Sequence, residues 1–431
     1  MNRRDFVVGA ALAVELVPHL GRAQTPAPGA PPPEKANTRF FRDAEFEYIF
    51  LCLLGLAYDG GVDVGSCLAI AEQIVDGDAA SAFQAFIAAG ARLRDIAELS
   101  AKAAHRVSAR QAFLHASNVI FTATYFADRA GVPDHLLPTF TTHRGAWDRF
   151  VDLFDEPVER VRIPYQGTTL PGYFFRAPGA GRKPVLILNN GSDGSVSFMW
   201  SAGLAAGLAR GYHCLVFDGP GQGATLWLQK LSFRPDWEKV ITPVVDFLVA
   251  RDDVDVKRIA LLGVSQGGYW VPRAAAFEHR LAAIVADPGV WDVSTSWTGH
   301  LPPPVLHMLD AGDRTGFDAA LRGGPRQMAL LAFRMRPYGM TSPYDVFKAT
   351  QQYRLAEVAG LIRCPVLVTD PDAEQFWPGQ SRLLFDALHG NRELIRFTAA
   401  DGAAAHCEPT ASGLRAQRIF DWLDSTLSQP T

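Results

Sequence analysis

Ile259-Ala260-Leu261-Leu262-Gly263-Val264-Ser265-Gln266-Gly267-Gly268 is the stretch on which the reading of the whole chain turns. Four consecutive apolar residues are the pattern of a short strand buried on both faces. They run into a serine with a glycine two residues away on either side, and Gly268-Tyr269-Trp270 then opens a helical pattern. A strand that turns into a helix within five residues needs glycine wherever a side chain would collide across the bend, and Gly263 and Gly267 meet that need. Such an elbow lifts the serine hydroxyl clear of both elements, at the end of a strand. The stretch therefore predicts an α/β sheet carrying a nucleophile at its edge.

Working outward, apolar runs recur at residues 185–188, 214–217, 259–262, 283–285, 366–368 and 394–397, with helix-length segments between most of them. This is the βαβ rhythm of a mainly parallel sheet with helices on both faces. Ahead of it, residues 158–164 and 170–175 alternate as two paired strands, with Gln166-Gly167 as the turn. Residues 37–157 read differently: Phe46, Ile49, Phe50, Leu53 and Leu54, then Phe83, Phe86 and Ile87, recur at three and four, as on helix faces. We expect a helical lid domain over 37–157 and a core over 158–431. Residues 290–355 break the core's rhythm with Pro302-Pro303-Pro304 and Gly323-Gly324-Pro325, and are read as an insertion over the strand ends, where ligands bind in open sheets.

The chain start reads as an export signal. Asn2-Arg3-Arg4-Asp5-Phe6 is a twin-arginine arrangement, an apolar run follows to Leu20, and Gly21-Arg22-Ala23 suits cleavage. Residues 1–23 are expected to direct export to the periplasm, with a cytoplasmic protein as the alternative, and the proline-rich residues 24–36 to form a linker. No later run is apolar and long enough for a stable membrane insertion.

Composition narrows the function. With 48% hydrophobic and 20% charged residues, the 431-residue chain has the balance of an ordinary globular protein. A net charge of -4 and a pI near 6.3 offer no basic field for phosphates, so nucleic acid is not expected as a partner. The five cysteines are scattered, without a Cys-x-x-Cys pair, so neither a metal site nor a redox site is expected. Asp218-Gly219-Pro220-Gly221-Gln222-Gly223 lacks the Lys and Ser/Thr of a phosphate loop and reads as a turn that shapes a pocket, with no cofactor. The expected partner is a small-molecule substrate, a homodimer being left open.

A serine hydroxyl is a poor nucleophile at neutral pH and needs a base, a group to orient the base, and donors for the oxyanion. The base is assigned to His406, in the small-residue loop after the last strand and before a final helix, in the chain order Ser, acid, His. His105, His115, His143 and His279 are read as structural or exposed, and Cys407 as a neighbour whose side chain points elsewhere. The acid belongs just after the strand at 366–368, where Asp370, Asp372 and Glu374 compete. Glu374 is preferred because Glu374-Gln375-Phe376-Trp377-Pro378 places it a few residues before a helix-leading proline; Asp372 is second and Asp287 third. The oxyanion donors are assigned to the backbone N–H groups of Gln266 and Ser192, the latter in Asn189-Asn190-Gly191-Ser192-Asp193-Gly194.

Phe217 to Gly223, the elbow Gly263 to Gly268, the segment Glu374 to Gln380 and the helical N-terminal region together resemble the α/β-hydrolase group that includes 2,6-dihydroxypseudooxynicotine hydrolase and the fungal polyketide-shortening hydrolases. The resemblance covers about residues 40–427. It implies an α/β-hydrolase fold with a preceding helical lid and a metal-free Ser-acid-His triad on Ser265, His406 and the Glu374 region. Members act as esterases or cleave a carbon–carbon bond next to a ketone. The acid here is not an unambiguous aspartate and the exported N-terminus is atypical, so the nicotine-derived substrate is not implied. The expectation is a serine hydrolase acting on an ester or a ketone-adjacent carbon–carbon bond. The alternatives are a serine peptidase on short peptides and a non-catalytic ligand-binding protein on the same fold. Tyr58, Trp291, Trp297 and Trp377 could favour an aromatic substrate or be packing residues.

Overall fold

The computed structural model describes residues 40–428. The twin-arginine segment, the proline-rich linker and the expected start of folding near Asn37 lie outside the described residues. Five helices come first: α1 (Ala44–Gly55), α2 (Val64–Ala71), α3 (Ala79–Lys102), α4 (Arg106–Ala123) and α5 (Leu136–Asp152). Asp43, Asp63 and Asp78 each hold an extended backbone conformation and accept first-turn N–H groups of α1, α2 and α3, which satisfies donors the helix itself cannot.

The sheet begins with β1 (Glu159–Tyr165) and β2 (Thr168–Phe175), an antiparallel hairpin. Its two-residue turn places Gln166 at φ 42° and Gly167 at φ 80°, the left-handed pair whose twist matches that of the strands. Then follow β3 (Lys183–Asn189), α6 (Leu204–Ala209), β4 (His213–Phe217), α7 (Gly223–Trp227), α8 (Glu238–Val249), β5 (Val254–Val264), α9 (Gly267–Ala275) and β6 (Ala283–Asp287). The insertion contributes α10 (Thr295–Thr298), α11 (Pro303–Ala311), α12 (Arg314–Ala320), α13 (Pro325–Met335) and α14 (Pro343–Thr350). An antiparallel bridge between Asp292 and Arg354 closes its neck. The chain ends with β7 (Val366–Pro371), α15 (Gln380–Ala387), β8 (Arg392–Phe397) and α16 (Ser412–Leu427).

The eight strands lie in the order β1-β2-β4-β3-β5-β6-β7-β8, parallel from β4 to β8. The chain steps outward from β3 to β4 and returns across β3 to β5, so the connections after β3 and β5 leave in opposite directions. The crevice at such a switch point is where open α/β sheets bind ligands, and here it falls between Asn189 and Ser265.

Period-two alternation divides the core. Val185 and Ile187 face α8, α9 and the insertion, while Leu186 and Leu188 face the other side. On that second face, α1 to α5 share one continuous apolar cluster with Leu186, Leu188, Val216, Leu262 and the buried side of α16. The helical region is thus seated on the sheet, and its placement over the strand ends is held by apolar burial. Leu188 is fully buried in this shared layer. Leu188→Ala is expected to cost about 2–5 kcal/mol of stability by urea denaturation; a loss below about 1 kcal/mol would mean that the layer is not packed as described.

Candidate active site

The elbow is a matter of backbone sterics. Ser265 has φ 59°, a left-handed conformation that a side-chain-bearing residue rarely adopts. It is over-determined from both sides: Ser265 N–H donates to Asp287 O at 2.7 Å, and Ser265 O accepts from Gly268 N–H at 2.8 Å. A Cβ on Gly263 would stand 2.3 Å from Gly267 O, and one on Gly267 would stand 3.1 Å from Asn189 O. The serine therefore projects from the end of β5 into the crevice beside β3.

His406 reaches it from the loop between β8 and α16. Its Nε2 lies 2.8 Å from Ser265 Oγ and its Nδ1 lies 2.7 Å from Glu374 Oε2. With the carboxylate accepting Nδ1–H, Nε2 is left to accept the serine proton. The other oxygen of Glu374 accepts the N–H groups of Phe376 and Trp377 at 2.8 and 3.1 Å, which fixes the carboxylate before it meets the histidine. The rings of Phe376 and Trp377 stand against the imidazole at 4.7 and 5.7 Å, so Glu374 and His406 are only 8% and 3% exposed. Two contacts absent from the sequence reading hold the histidine's backbone: His406 N–H donates to Gln375 Oε1, and Tyr48 of α1 donates to His406 O.

The competing acids are engaged elsewhere. Asp372 pairs with Arg396 at 2.5 Å, Asp370 stands 3.7 Å from Arg382, and the fully buried Asp287 accepts from Thr369 and Arg415. Cys407 Sγ is turned to Asp287 O at 3.5 Å, although the residue also borders the cavity described below, and burial pushes its thiol well above the ordinary range. A thiolate nucleophile is disfavoured there. Of the remaining histidines, His105 is exposed, while His115 and His279 approach backbone carbonyls. His143 is enclosed against Ser117, and its pKa is pushed down to about 3 by burial and then by Arg144.

The loop after β3 is braced by the turn after β4. Gln222 Nε2 donates to Asn190 O and Gly191 O at 2.9 and 2.8 Å, and Trp237 donates to Asn189 Oδ1 at 2.7 Å. A Cβ on Gly191 would stand 2.7 Å from Ser265 Cβ, so this loop passes directly over the nucleophile candidate. Ser192 and Gln266 border the same cavity as Ser265 and His406. Asp218, in the turn that supplies Gln222, is buried and paired with Arg144 of α5.

The cavity holds about 340 Å³ and is predominantly apolar. Phe121 and Phe140 come from the helical region, Trp297 and Phe333 from the insertion, and Phe376 and Trp377 from the loop after β7. Arg336 pairs with Asp128 at 2.7 Å, tying the insertion to the helical region across the cavity. Beyond Ser265, His406, Ser192 and Gln266, the cavity wall carries charged residues to which the sequence assigned no role, Asp193 and Arg334 among them. Asp193 has its carboxyl raised by burial, against Arg334 and His406, and Arg334 stacks 4.7 Å over Trp297. Trp291 packs half-buried against the core and Tyr58 is largely exposed; neither borders the cavity. Among the described residues no His, Cys, Asp and Glu cluster suits a metal ion, and no helix is long and apolar enough to cross a membrane.

The sequence pattern of the alpha/beta hydrolase family matches residues 177–408. Alpha/beta hydrolase psoB of Aspergillus fumigatus is 30% identical over 420 residues, covering 90% of this chain and 94% of the relative. The 20-hydroxy-prefusarin hydrolase of Gibberella moniliformis is 28% identical over 422 residues, covering 90% and 98%. The solved structure of 2,6-dihydroxy-pseudo-oxynicotine hydrolase superposes with a TM-score of 0.65 at 19% identity, covering 86% of this chain and 95% of that one, a likeness of fold.

The geometry separates the two leading acids. If the series Glu374–His406–Ser265 works as a catalytic triad, Glu374→Gln is expected to lower kcat/KM for a p-nitrophenyl ester by about 10³–10⁴-fold, as loss of the orienting acid does in known triads. Asp372→Asn should change it by less than about tenfold, since an exposed ion pair contributes little. The reverse ranking in folded protein would show that the histidine takes its orientation from another acid.

Proposed function

The chain belongs to the α/β-hydrolase family, and from that premise we propose that it is a serine hydrolase that cleaves an ester, or a carbon–carbon bond next to a ketone, in a small and largely apolar organic substrate. The observation that carries this reading is the continuous hydrogen-bonded series Glu374–His406–Ser265, whose serine end opens into the apolar cavity. Ser265 Oγ attacks the carbonyl carbon while His406 Nε2 takes its proton. Negative charge on the carbonyl oxygen is received by the N–H groups of Gln266 and Ser192, each such donor contributing roughly 2.7–4 kcal/mol in comparable sites. Collapse expels an alkoxide or a stabilised carbanion, which takes the proton held on His406. Water then releases the acid from the serine by the same route in reverse.

The cavity supports the substrate class. Its volume suits a small organic molecule, and its aromatic lining favours a flat, apolar one. A relative named as a 20-hydroxy-prefusarin hydrolase agrees with a small organic substrate. The roof formed by α13 and the helical region would govern entry of the substrate and limit bulk water around it, while leaving room for the one water that releases the acid.

The test is a panel of aryl esters, β-diketones and short peptide anilides, followed by product mass spectrometry, with Ser265→Ala as control. Turnover of esters or diketones, lost by at least about 10³-fold in Ser265→Ala, is the expected result. Turnover of the anilides alone would make the protein a peptidase. Ligand-induced thermal stabilisation without turnover of any compound would make it a binding protein.

A further inference from the structure

Directly after His406 the chain does something the catalytic reading does not require. Cys407 and Glu408 are consecutive non-glycine residues with φ 58° and 47°, so the backbone makes a tight left-handed curl. Glu408 N–H donates to Ala405 O at 2.9 Å, and Glu408 O accepts from Ala411 N–H at 2.9 Å. The curl drives the Glu408 side chain into the interior, where it has no exposure to solvent.

The charges met there do not balance if every acid is ionised. Arg415 of α16 is the cation of the cluster, and its Nε lies 2.5 Å from Asp287 Oδ2 at the end of β6. Asp287 also accepts from Thr369 at 2.7 Å, so each of its oxygens already has a donor and its charged form is supported, with acceptor capacity to spare. Glu408 receives none: Arg415 Nε is 3.5 Å away, and neither Glu408 oxygen has a hydrogen-bond donor within reach. Among the described residues, the other groups that bear most on Glu408 and Arg415 are acids and a thiol, with the imidazole of His406 bound to Glu374. They are Glu374 from the loop after β7, the Cys407 thiol, and Asp59 ahead of α2, which faces Arg415. Two buried carboxyls beside each other form a hydrogen bond only when one of them keeps its proton.

We propose that Glu408 is a positioning residue that works as a neutral acid: its protonated carboxyl donates to the Asp287 carboxylate and pins the curl that delivers His406 to Ser265. Burial and the neighbouring Asp287 charge hold the Glu408 carboxyl well above its ordinary range, against the pull of Arg415. The same Asp287 accepts, through its backbone O, the N–H of Ser265. One residue thus anchors both the nucleophile's elbow and the histidine's loop. The role assigned to His406 rests on the serine-hydrolase reading; the protonation of Glu408 does not.

The test combines stability and activity in the whole chain. An unfolded glutamate ionises near about 4.3, while folded Glu408 keeps its proton to much higher pH. Above that point the folded state binds more protons than the unfolded one, so this group's contribution to stability falls as pH rises. Glutamine cannot ionise, so the Tm of Glu408→Gln relative to wild type is expected to climb between about pH 5 and pH 8. Glu408→Gln should hydrolyse a p-nitrophenyl ester near the wild-type rate, whereas Glu408→Ala, which frees the curl, should lose about 10- to 100-fold in kcat/KM. A Tm difference that falls with pH would mean an ionised Glu408 and overturns the proposal. So would equal activity losses in the two variants, or none in either. Absence of turnover of both esters and β-diketones by wild type would overturn the serine-hydrolase reading and with it the positioning role, while the Tm series would still decide the proton.

Discussion

The site depends on one backbone constraint: a serine held at φ 59° where β5 bends into α9. That conformation is uphill for any residue with a side chain and persists only where the surroundings over-determine it. Here they do so through the Asp287 carbonyl on one side and the first turn of α9 on the other. The close approach that makes room for the bend also brings the loop after β3 across the serine, so the candidate oxyanion donors and the candidate nucleophile are set by the same packing. Everything else in the crevice is arranged around a hydroxyl that cannot retreat.

What the sequence revealed and what it hid follow from the range of the forces involved. The strands were legible because a doubly covered sheet demands consecutive apolar residues, as in Val185 to Leu188 and Ile259 to Leu262, and the elbow because its glycines answer a local collision. The hairpin at Gln166-Gly167 was legible for the same local reason. The choice among Asp370, Asp372 and Glu374 rested on spacing to Pro378, a weak signal. The structure separates them by backbone donors from Phe376 and Trp377, which face Glu374, and by Arg396, which occupies Asp372. Arg396 stands on another strand, and no local pattern could announce the pairing.

The least legible features join segments far apart in the chain. Asp193 and Arg334 share a cavity, yet one belongs to the loop after β3 and the other to an insertion whose internal packing resembles any small helical unit. Asp287, Glu408 and Arg415 meet beneath His406 from a strand end, a loop and a helix. The helical region, legible from its three-and-four periodicity, is continuous in packing with one face of the sheet, a contact that periodicity alone does not announce. Its aromatic side chains are therefore cavity wall as well as core, which the three-and-four periodicity cannot distinguish.

The central claim is that the Glu374–His406 pair activates Ser265, and the most direct measurement is covalent labelling by a fluorophosphonate followed by intact mass and peptide mapping. The account predicts one label per chain, located on Ser265 and absent from Ser265→Ala, because only an activated serine reacts readily. A folded wild-type protein that takes up no label, or a Ser265→Ala protein labelled as fast as wild type, would contradict it.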